Sequence, residues 1–401
     1  MSEHSALKSR ADSPVHSPGL FRAESITVEQ LFGSLTSEWE ALHRRLSPRT
    51  PFTSPLWSRL WWQHYPCSSA TVRDQFFAQV VRDGNGSLVA VAPMMVTARP
   101  GVGPLQMRTL QFFGTDPNVT EIRGLACLPE HEAAVIEALR SHLEQHSDAW
   151  DWIDWGSVRQ ENWQNIAESL HPSTPVGVAE IESYYLELPS TWEEFRSSRS
   201  RNIKESIRKC YNSLKRDGHH AELRVVQSQH ECADALATFF RLHTDRSLVT
   251  NTVVHGDVFR KERDRAFLGA YAHAMAERGQ LRIFQLVIAG EVVATRPGFI
   301  FGDELYLYYS GYDRRWGRYS VMTTLVVEAI KWAIENRFRI VNLSTGRDVS
   351  KLRWSPSHAG FRSLIQLAPR WSARVSFSVY QRLRRLMKQP SVARLTAAAR
   401  R

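Results

Sequence analysis

The sequence predicts an α/β (α+β) protein of two related units in tandem, each a mixed, mostly antiparallel sheet with flanking helices. Three observations carry that prediction. Apolar runs with strand-like alternation are interleaved with segments whose apolar residues recur at helical spacing. A chain of 401 residues with 43% hydrophobic content is long enough for two cores. The order hairpin, aromatic strand, loop, helix, closing strand occurs twice, at an offset of about 200 residues.

Residues 1–20, MSEHSALKSRADSPVHSPGL, mix Ser, Pro, His and both charges without an apolar segment. That is the composition of a disordered lead, not of a secretory signal. The first unit spans 21–189. In it PFTSPLWSRLWWQHY starts a helix behind Pro51, Ser54 and Pro55. FFAQVVRDGNGSLVAVAPMMV is a strand, a turn at Asp83 to Gly86 and a second strand. LQMRTLQFFG is the aromatic strand, EHEAAVIEALRSHLEQH the helix with Val135, Ile136, Leu139 and Leu143 on one side, and WDWIDW the closing strand.

The second unit spans 190–369. TWEEFRSSRSRNIKESIRKCYNSLKRDG is a helix with Ile203, Ile207, Tyr211 and Leu214 on one side and Gly218 as its stop. ECADALATFFRLHTDRS is another. LRIFQLVIAGEVVATRPGFIFGDELYLYYSG supplies three strands with two tight turns, the last one aromatic. DRRWGRYS leads into the helix VMTTLVVEAIKWAIENRF, and FRIVNLS closes the repeat.

Charge sorts the function classes. The net +10 comes from 51 basic and 41 acidic residues, but the tail 370–401 holds nine Lys and Arg and no acid, leaving a body of 42 against 41. A nearly neutral body argues against a nucleic-acid protein. The helix from Arg196 to Arg216 carries eight basic residues and one acid, Glu205; we read its rim as facing an acidic substrate. The four cysteines show no CxxC spacing, so neither a zinc site nor a disulfide framework is indicated and a reducing cytoplasm is expected. No apolar run reaches the roughly 18 residues of a spanning helix. In the tail, VSFSVYQRLRRLMKQ sets Val375, Val379, Leu383 and Leu386 against arginines, a pattern for the inner face of an anionic membrane or for packing on the body.

The loop before the helix is the strongest chemical signal. The first amides of a helix lack internal partners and add to its dipole, making an anion site. Gly317 permits close backbone approach, Arg314, Arg315 and Arg318 are suited to pair with phosphate, and Ser320 can cap the helix. A solvated basic turn with an ordinary cap fits the same residues.

Arg314, Arg315, Trp316, Gly317, Arg318 and Tyr319 resemble the R/Q-x-x-G-x-G/A pyrophosphate loop of GNAT acyltransferases, with Tyr319 in place of the final small residue. The chain from about 30 to 360 is similar to the CelD/BcsL (BioF2-like) acetyltransferase family, related to the FemAB peptidyltransferases with their tandem GNAT-like units. The likeness rests on the segment Pro51 to Trp57, the basic helix, GEVVAT, GYDRRWGRYS and NLSTGRDVSKLRW. Two departures are Ser320-Val321-Met322 where the family has Ser-Pro-Gly, and Ser350 where it has tyrosine before the lysine.

The resemblance implies acetyl-CoA or another acyl-CoA as co-substrate, no metal, and direct transfer to an amino or hydroxyl group of a sugar or polysaccharide precursor. It implies that Tyr309, Ser310, Arg314, Arg315, Gly317, Arg318 and Ser320 hold the coenzyme, with backbone groups of Leu305 to Ser310 as the oxyanion sink. Tyr319 is the preferred proton donor for the thiolate, ahead of Tyr308, Tyr309 and Tyr312. His243 is the candidate base, with Asp313 as rival; Asp245 and Arg246 are expected at the acceptor, and Lys351 at the leaving group or an anionic substrate. Two other expectations stand beside this one: a FemAB-like ligase using aminoacyl-tRNA, and a catalytically silent scaffold of polysaccharide assembly.

Overall fold

VVRDGNGSLVAV forms the hairpin its turn residues dictate. Gln79–Arg82 pairs antiparallel with Leu88–Ala92, and the Asp83 carboxylate between them accepts from the amides of Asn85 and Ser87, both at 2.9 Å. The structure, a computed structural model, describes residues 21–170, 180–249 and 256–387. The expected lead at 1–20 and the last residues of the tail lie outside them.

The described residues form three sheets. A four-stranded sheet runs Arg22–Ser25, Gln79–Arg82, Leu88–Ala92, Ala126–Cys127. A five-stranded one runs Ile365–Leu367, Trp152–Asp154, Met107–Phe112, Met94–Arg99, Arg73–Phe76. The nine-stranded sheet has at its centre Leu281–Ile288, Glu291–Phe301, Glu304–Leu307, Ile340–Thr345 and Glu180–Glu187, in that order.

The repeat holds in three dimensions. In the first unit Met107–Phe112 and Trp152–Asp154 are parallel neighbours, Leu110 opposite Ile153, with the helix Glu132–Glu144 between them in the chain. In the second, Glu304–Leu307 and Ile340–Thr345 are parallel, Leu305 opposite Val341, with the helix Val321–Glu335 between them. Each unit thus has one parallel pair, made by a helical crossover, inside an otherwise antiparallel sheet.

The units also trade edge strands. Val158–Arg159 pairs with Ser357–Arg362 in the large sheet, and Ile365–Leu367 then returns to pair with Trp152–Asp154 in the five-stranded one. Between the units sits Trp57, whose ring lies 4.9, 4.8 and 4.7 Å from those of Phe52, Phe267 and Tyr271. Ser54 caps its helix by accepting from the Trp57 amide at 3.2 Å. The segment Pro51 to Trp57 is therefore the joint between the two halves.

Two elements differ from the sequence reading. The expected single helix after Thr191 is two, Trp192–Ser197 and Arg201–Arg216. Serine hydroxyls break it: Ser197 and Ser198 donate to the carbonyls of Glu194 and Phe195, competing with the backbone ladder. Past the second helix the chain stops at Gly218, φ +75°, as expected. The helix Glu262–Glu277 was not anticipated: its buried residues, Asp264, Phe267, Leu268, Tyr271, Ala272 and Met275, do lie on one face, but a carboxylate within that face and Ala266, Ala270 and Ala274 on the other side blur the contrast.

Candidate active site

The parallel ladder in the second unit ends at Tyr306 opposite Asn342, and beyond that pair the strands part. Into the gap comes the side chain of Arg296 from the adjacent strand Glu291–Phe301, 8% exposed. Its Nε donates to the Tyr308 carbonyl at 2.9 Å, and its Nη2 to those of Leu307 and Leu343 at 3.2 and 3.0 Å. One planar guanidinium thus satisfies carbonyls on both diverging strands. Burial pulls its pKa down to about 10, so it stays cationic at neutral pH.

Beside Arg296 opens a cleft of about 370 Å³ at the mouth of the helix Val321–Glu335. The approach is a 3₁₀ turn, Arg314–Tyr319, capped by Asp313, whose carboxylate accepts from the Arg315 amide at 2.9 Å. Ser320 then takes a left-handed conformation, φ +53°, and its carbonyl accepts from the amides of Thr323 and Thr324 at 2.8 and 3.3 Å. That leaves the amides of Val321 and Met322, both residues of the cleft wall, without intrahelical partners.

Four cations line the same cleft: Arg246, Arg296, Lys351 and Arg353. Arg246 donates to the Ser310 hydroxyl. Lys351 donates to the carbonyls of Thr345 and Gly346, the latter at 3.4 Å, with the Asp348 carboxylate 3.6 Å away. Arg353 donates from Nη2 to the Thr323 hydroxyl at 2.6 Å, while its Nε is buried without a hydrogen-bond partner. Burial lowers the pKa of Lys351 and of Arg353, so an anion at this position would restore what desolvation costs them. Val326, Leu343 and Trp354 give the cleft an apolar wall.

Of the residues expected at the site, Ser310, Gly317, Ser320, Arg246 and Lys351 line the cleft. A Cβ at Gly317 would meet only the Tyr312 ring, at 3.6 Å, so the glycine opens the wall and relieves no strain. Ser320 occupies the cap position, but its hydroxyl makes no cap hydrogen bond, because the left-handed backbone presents its carbonyl instead.

The other expected residues stand elsewhere. Tyr319 is 3% exposed, packs on His219 and Trp316, and donates its hydroxyl to Asp217 at 3.0 Å; Tyr312 lines the cleft in its place. His243 is a strut: Nδ1 donates to the Ser310 carbonyl at 3.0 Å, Nε2 accepts from the Val258 amide at 3.4 Å, and burial lowers its pKa. The Arg315 guanidinium beside Asp313 holds that carboxyl below its usual range, in its capping role. Arg315 also reaches Glu291 at 3.3 Å, Arg314 pairs with Asp245 at 3.4 Å, and Arg318 lies over the Tyr319 ring at 4.6 Å. These three arginines are exposed on the turn, outside the cleft wall. Tyr309 donates to the Asn118 carbonyl at 2.8 Å and lines a second cavity.

Arg296 and Arg353 are the residues that sequence reasoning passed over. The first left a signal, a lone charge inside the apolar strand VVATRPGFIF; such a residue must find partners when buried. Among the described residues no cluster of His, Cys, Asp and Glu has the arrangement of a metal site.

A family model for the acetyltransferase (GNAT) domain matches residues 199–352. Residues 199–352 are a GNAT acetyltransferase domain. They contain the parallel pair, the turn, the helix and most of the cleft, and the enzyme class of such a domain is acyltransferase. Comparison with curated proteins gives no match. Among solved structures the chain is similar to FemX, at 11% identity and TM-score 0.55, over 86% of this chain and 97% of that one. It is also similar to a tandem GNAT protein from the clavulanic acid biosynthesis pathway, at 8% identity and TM-score 0.46, over 88% and 99%. The likeness to FemX extends the fold assignment beyond the GNAT domain to the first unit.

Proposed function

We propose that the protein transfers an acetyl or longer acyl group from acyl-CoA directly to an amino or hydroxyl group of a sugar or polysaccharide precursor, as a member of the CelD/BcsL-like branch of GNAT enzymes. The observation that carries this reading is the cleft between the diverging strands, where free helix amides, a buried orphaned guanidinium nitrogen and an apolar wall adjoin. A diphosphate suits the first two and a pantetheine arm the third. The amides of Val321 and Met322 with Lys351 and Arg353 bind the anionic end. Val326, Leu343 and Trp354 exclude water from the arm. Tyr312 is placed to give the departing thiolate its proton. The coenzyme supplies an acyl carbon already activated as a thioester. The choice of a sugar acceptor rests on the family resemblance alone.

A second reading has an observation of its own. The helix Arg201–Arg216 leaves Arg208, Lys209, Lys215 and Arg216 exposed, a surface that an aminoacyl-tRNA donor would use. Thermal-shift titration separates the readings, since a ligand at 100 times its Kd stabilises the native state by about 2.7 kcal/mol. Acetyl-CoA should raise the melting temperature and charged tRNA should not. The reverse result establishes the ligase reading, and no shift with either leaves the scaffold.

We place the protein in the cytoplasm at the inner face of the membrane. Among the described residues no helix is long and apolar enough to cross a bilayer. The helix Trp371–Met387 buries Ala373 and Phe377 against the body and leaves Trp371, Val375, Val379, Leu383 and Leu386 exposed, Trp371 at 78%. With Arg374, Arg382, Arg384 and Arg385 on the same helix and no acid, that face suits an anionic lipid surface.

A further inference from the structure

A second cavity, of about 470 Å³, lies against the same strand ends as the coenzyme cleft. Residues one or two positions apart open to different sides: Ser310 lines the cleft and Tyr309 the cavity, Leu343 the cleft and Thr345 the cavity. Lys351, in the cleft wall, donates to the carbonyls of Thr345 and Gly346, which belong to the cavity wall. One ammonium and a turn of backbone therefore separate the two spaces.

Glu121 reaches this partition from the first unit. Its loop is fixed by tryptophans: Trp61 donates to the Asp116 carboxylate at 2.9 Å, and Trp57 to the Thr120 hydroxyl at 3.1 Å. The Glu121 carboxylate accepts from the Ser344 hydroxyl at 2.5 Å and from the Tyr306 hydroxyl, one on each of the two strands that part. Ser344 sits at φ +75°, a conformation that costs a serine about 1 kcal/mol or more and that recurs where function demands it. Facing Glu121 are Tyr306, Lys351 and Arg296 from the second unit, and Glu180, Glu182 and Arg347 line the same cavity.

We propose that this cavity admits an amine acceptor and that Glu121 takes its proton, so that the first unit completes the active site of the second. The inference rests on the acyltransferase reading. The acceptor ammonium gives one proton to the Glu121 carboxylate, the freed nitrogen forms a bond to the thioester carbonyl carbon, the C–S bond breaks, the thiolate takes a proton from Tyr312, and the second proton leaving the nitrogen restores Tyr312. Burial raises the Glu121 pKa above the ordinary carboxylate range, against the two hydroxyl donors and the cations that lower it. The base is present only above that pKa, so kcat/KM rises with pH through it.

The test uses the full chain, acetyl-CoA, and two probe nucleophiles, glucosamine and hydroxylamine, with free CoA thiol as the readout. Glucosamine is largely protonated near neutral pH and needs a base; hydroxylamine is not. Glu121→Gln should lower kcat with glucosamine on the order of 100-fold and remove the acidic limb of its pH profile, while changing hydroxylamine turnover only a few-fold. Acetyl-CoA affinity should stay at the wild-type value, and Glu121→Asp should restore part of the rate. Equal loss with both nucleophiles, loss with neither, or a wild-type protein that binds acetyl-CoA and acetylates neither amine overturns this proposal alone. A wild-type protein that does not bind acetyl-CoA removes the acyltransferase reading and this inference with it.

Discussion

Replacing Arg296 with methionine tests whether one buried guanidinium keeps the cleft open. The side chain makes three hydrogen bonds, to the carbonyls of Leu307, Tyr308 and Leu343, and meets solvent only where it lines the cleft, since the residue is 8% exposed. Leaving a buried acceptor unpaired costs about 1 kcal/mol or more, so three orphaned carbonyls set a loss of about 3 kcal/mol. Methionine recovers part of the dispersion contact and none of the polar contact. Arg296→Lys keeps the charge but loses the fork that spans both strands, and should lose about half as much. Stability is read from urea unfolding followed by tryptophan fluorescence, and the cleft from acetyl-CoA titration below the unfolding transition. Folded Arg296→Met protein should bind acetyl-CoA at least about tenfold more weakly, because a gap without its wedge lets the strands re-pair. A variant with the wild-type midpoint and wild-type affinity refutes the reasoning.

Other outcomes follow from single contacts. Gly311→Ala would place a Cβ 2.4 Å from the His243 amide nitrogen and 2.5 Å from the Leu242 carbonyl carbon; backbone cannot step aside, so we expect a loss of about 3 kcal/mol in the same titration, and an unmoved midpoint would mean the helix has slack. Arg353→Ala should weaken acetyl-CoA binding about tenfold or more, as loss of a charge-assisted contact does, while Arg315→Ala, already engaged by Asp313 and Glu291, should change it less than about twofold; isothermal titration decides. His43 is buried, donates to the Thr50 carbonyl, and has a pKa lowered by burial from 6.5 to about 4. Between those values the unfolded chain binds a proton that the folded one refuses, so stability falls as pH drops through that window, by about 3 kcal/mol in all, and His43→Gln should flatten the slope. Leu383→Glu with Leu386→Glu should reduce co-sedimentation with phosphatidylglycerol vesicles more than tenfold, since each buried leucine contributes about 1.5 kcal/mol or more; undiminished binding assigns the exposed stripe to another partner.

The repeat was legible because its elements are local: turn residues at Asp83 to Gly86 and an aromatic strand before a helix announce themselves within a dozen residues of chain. The candidate cleft was legible as position and not as side chains. The helix mouth is where the sequence put it, yet Arg314 and Arg315 are drawn outward by Asp245, Asp313 and Glu291; Asp313 is a neighbour in the chain, but the proximity of Asp245 and Glu291 is revealed by no spacing rule. Arg353 and Arg296 enter from other strands and turns, and Glu121 from the other unit, so their convergence is a property of tertiary packing. His243 looked chemical by type and is structural by environment, because both its nitrogens are taken.

The exchange of edge strands bears on synthesis at the ribosome. Domains ordinarily fold as they emerge, amino-terminal first. Here the five-stranded sheet of the first unit lacks its last member until Ile365–Leu367 appears. The earlier half must wait, with Trp152 and its neighbours uncovered, until the strands of the second unit have been made. A nascent chain stalled before that strand is the form in which this protein is most exposed to chaperones and proteases.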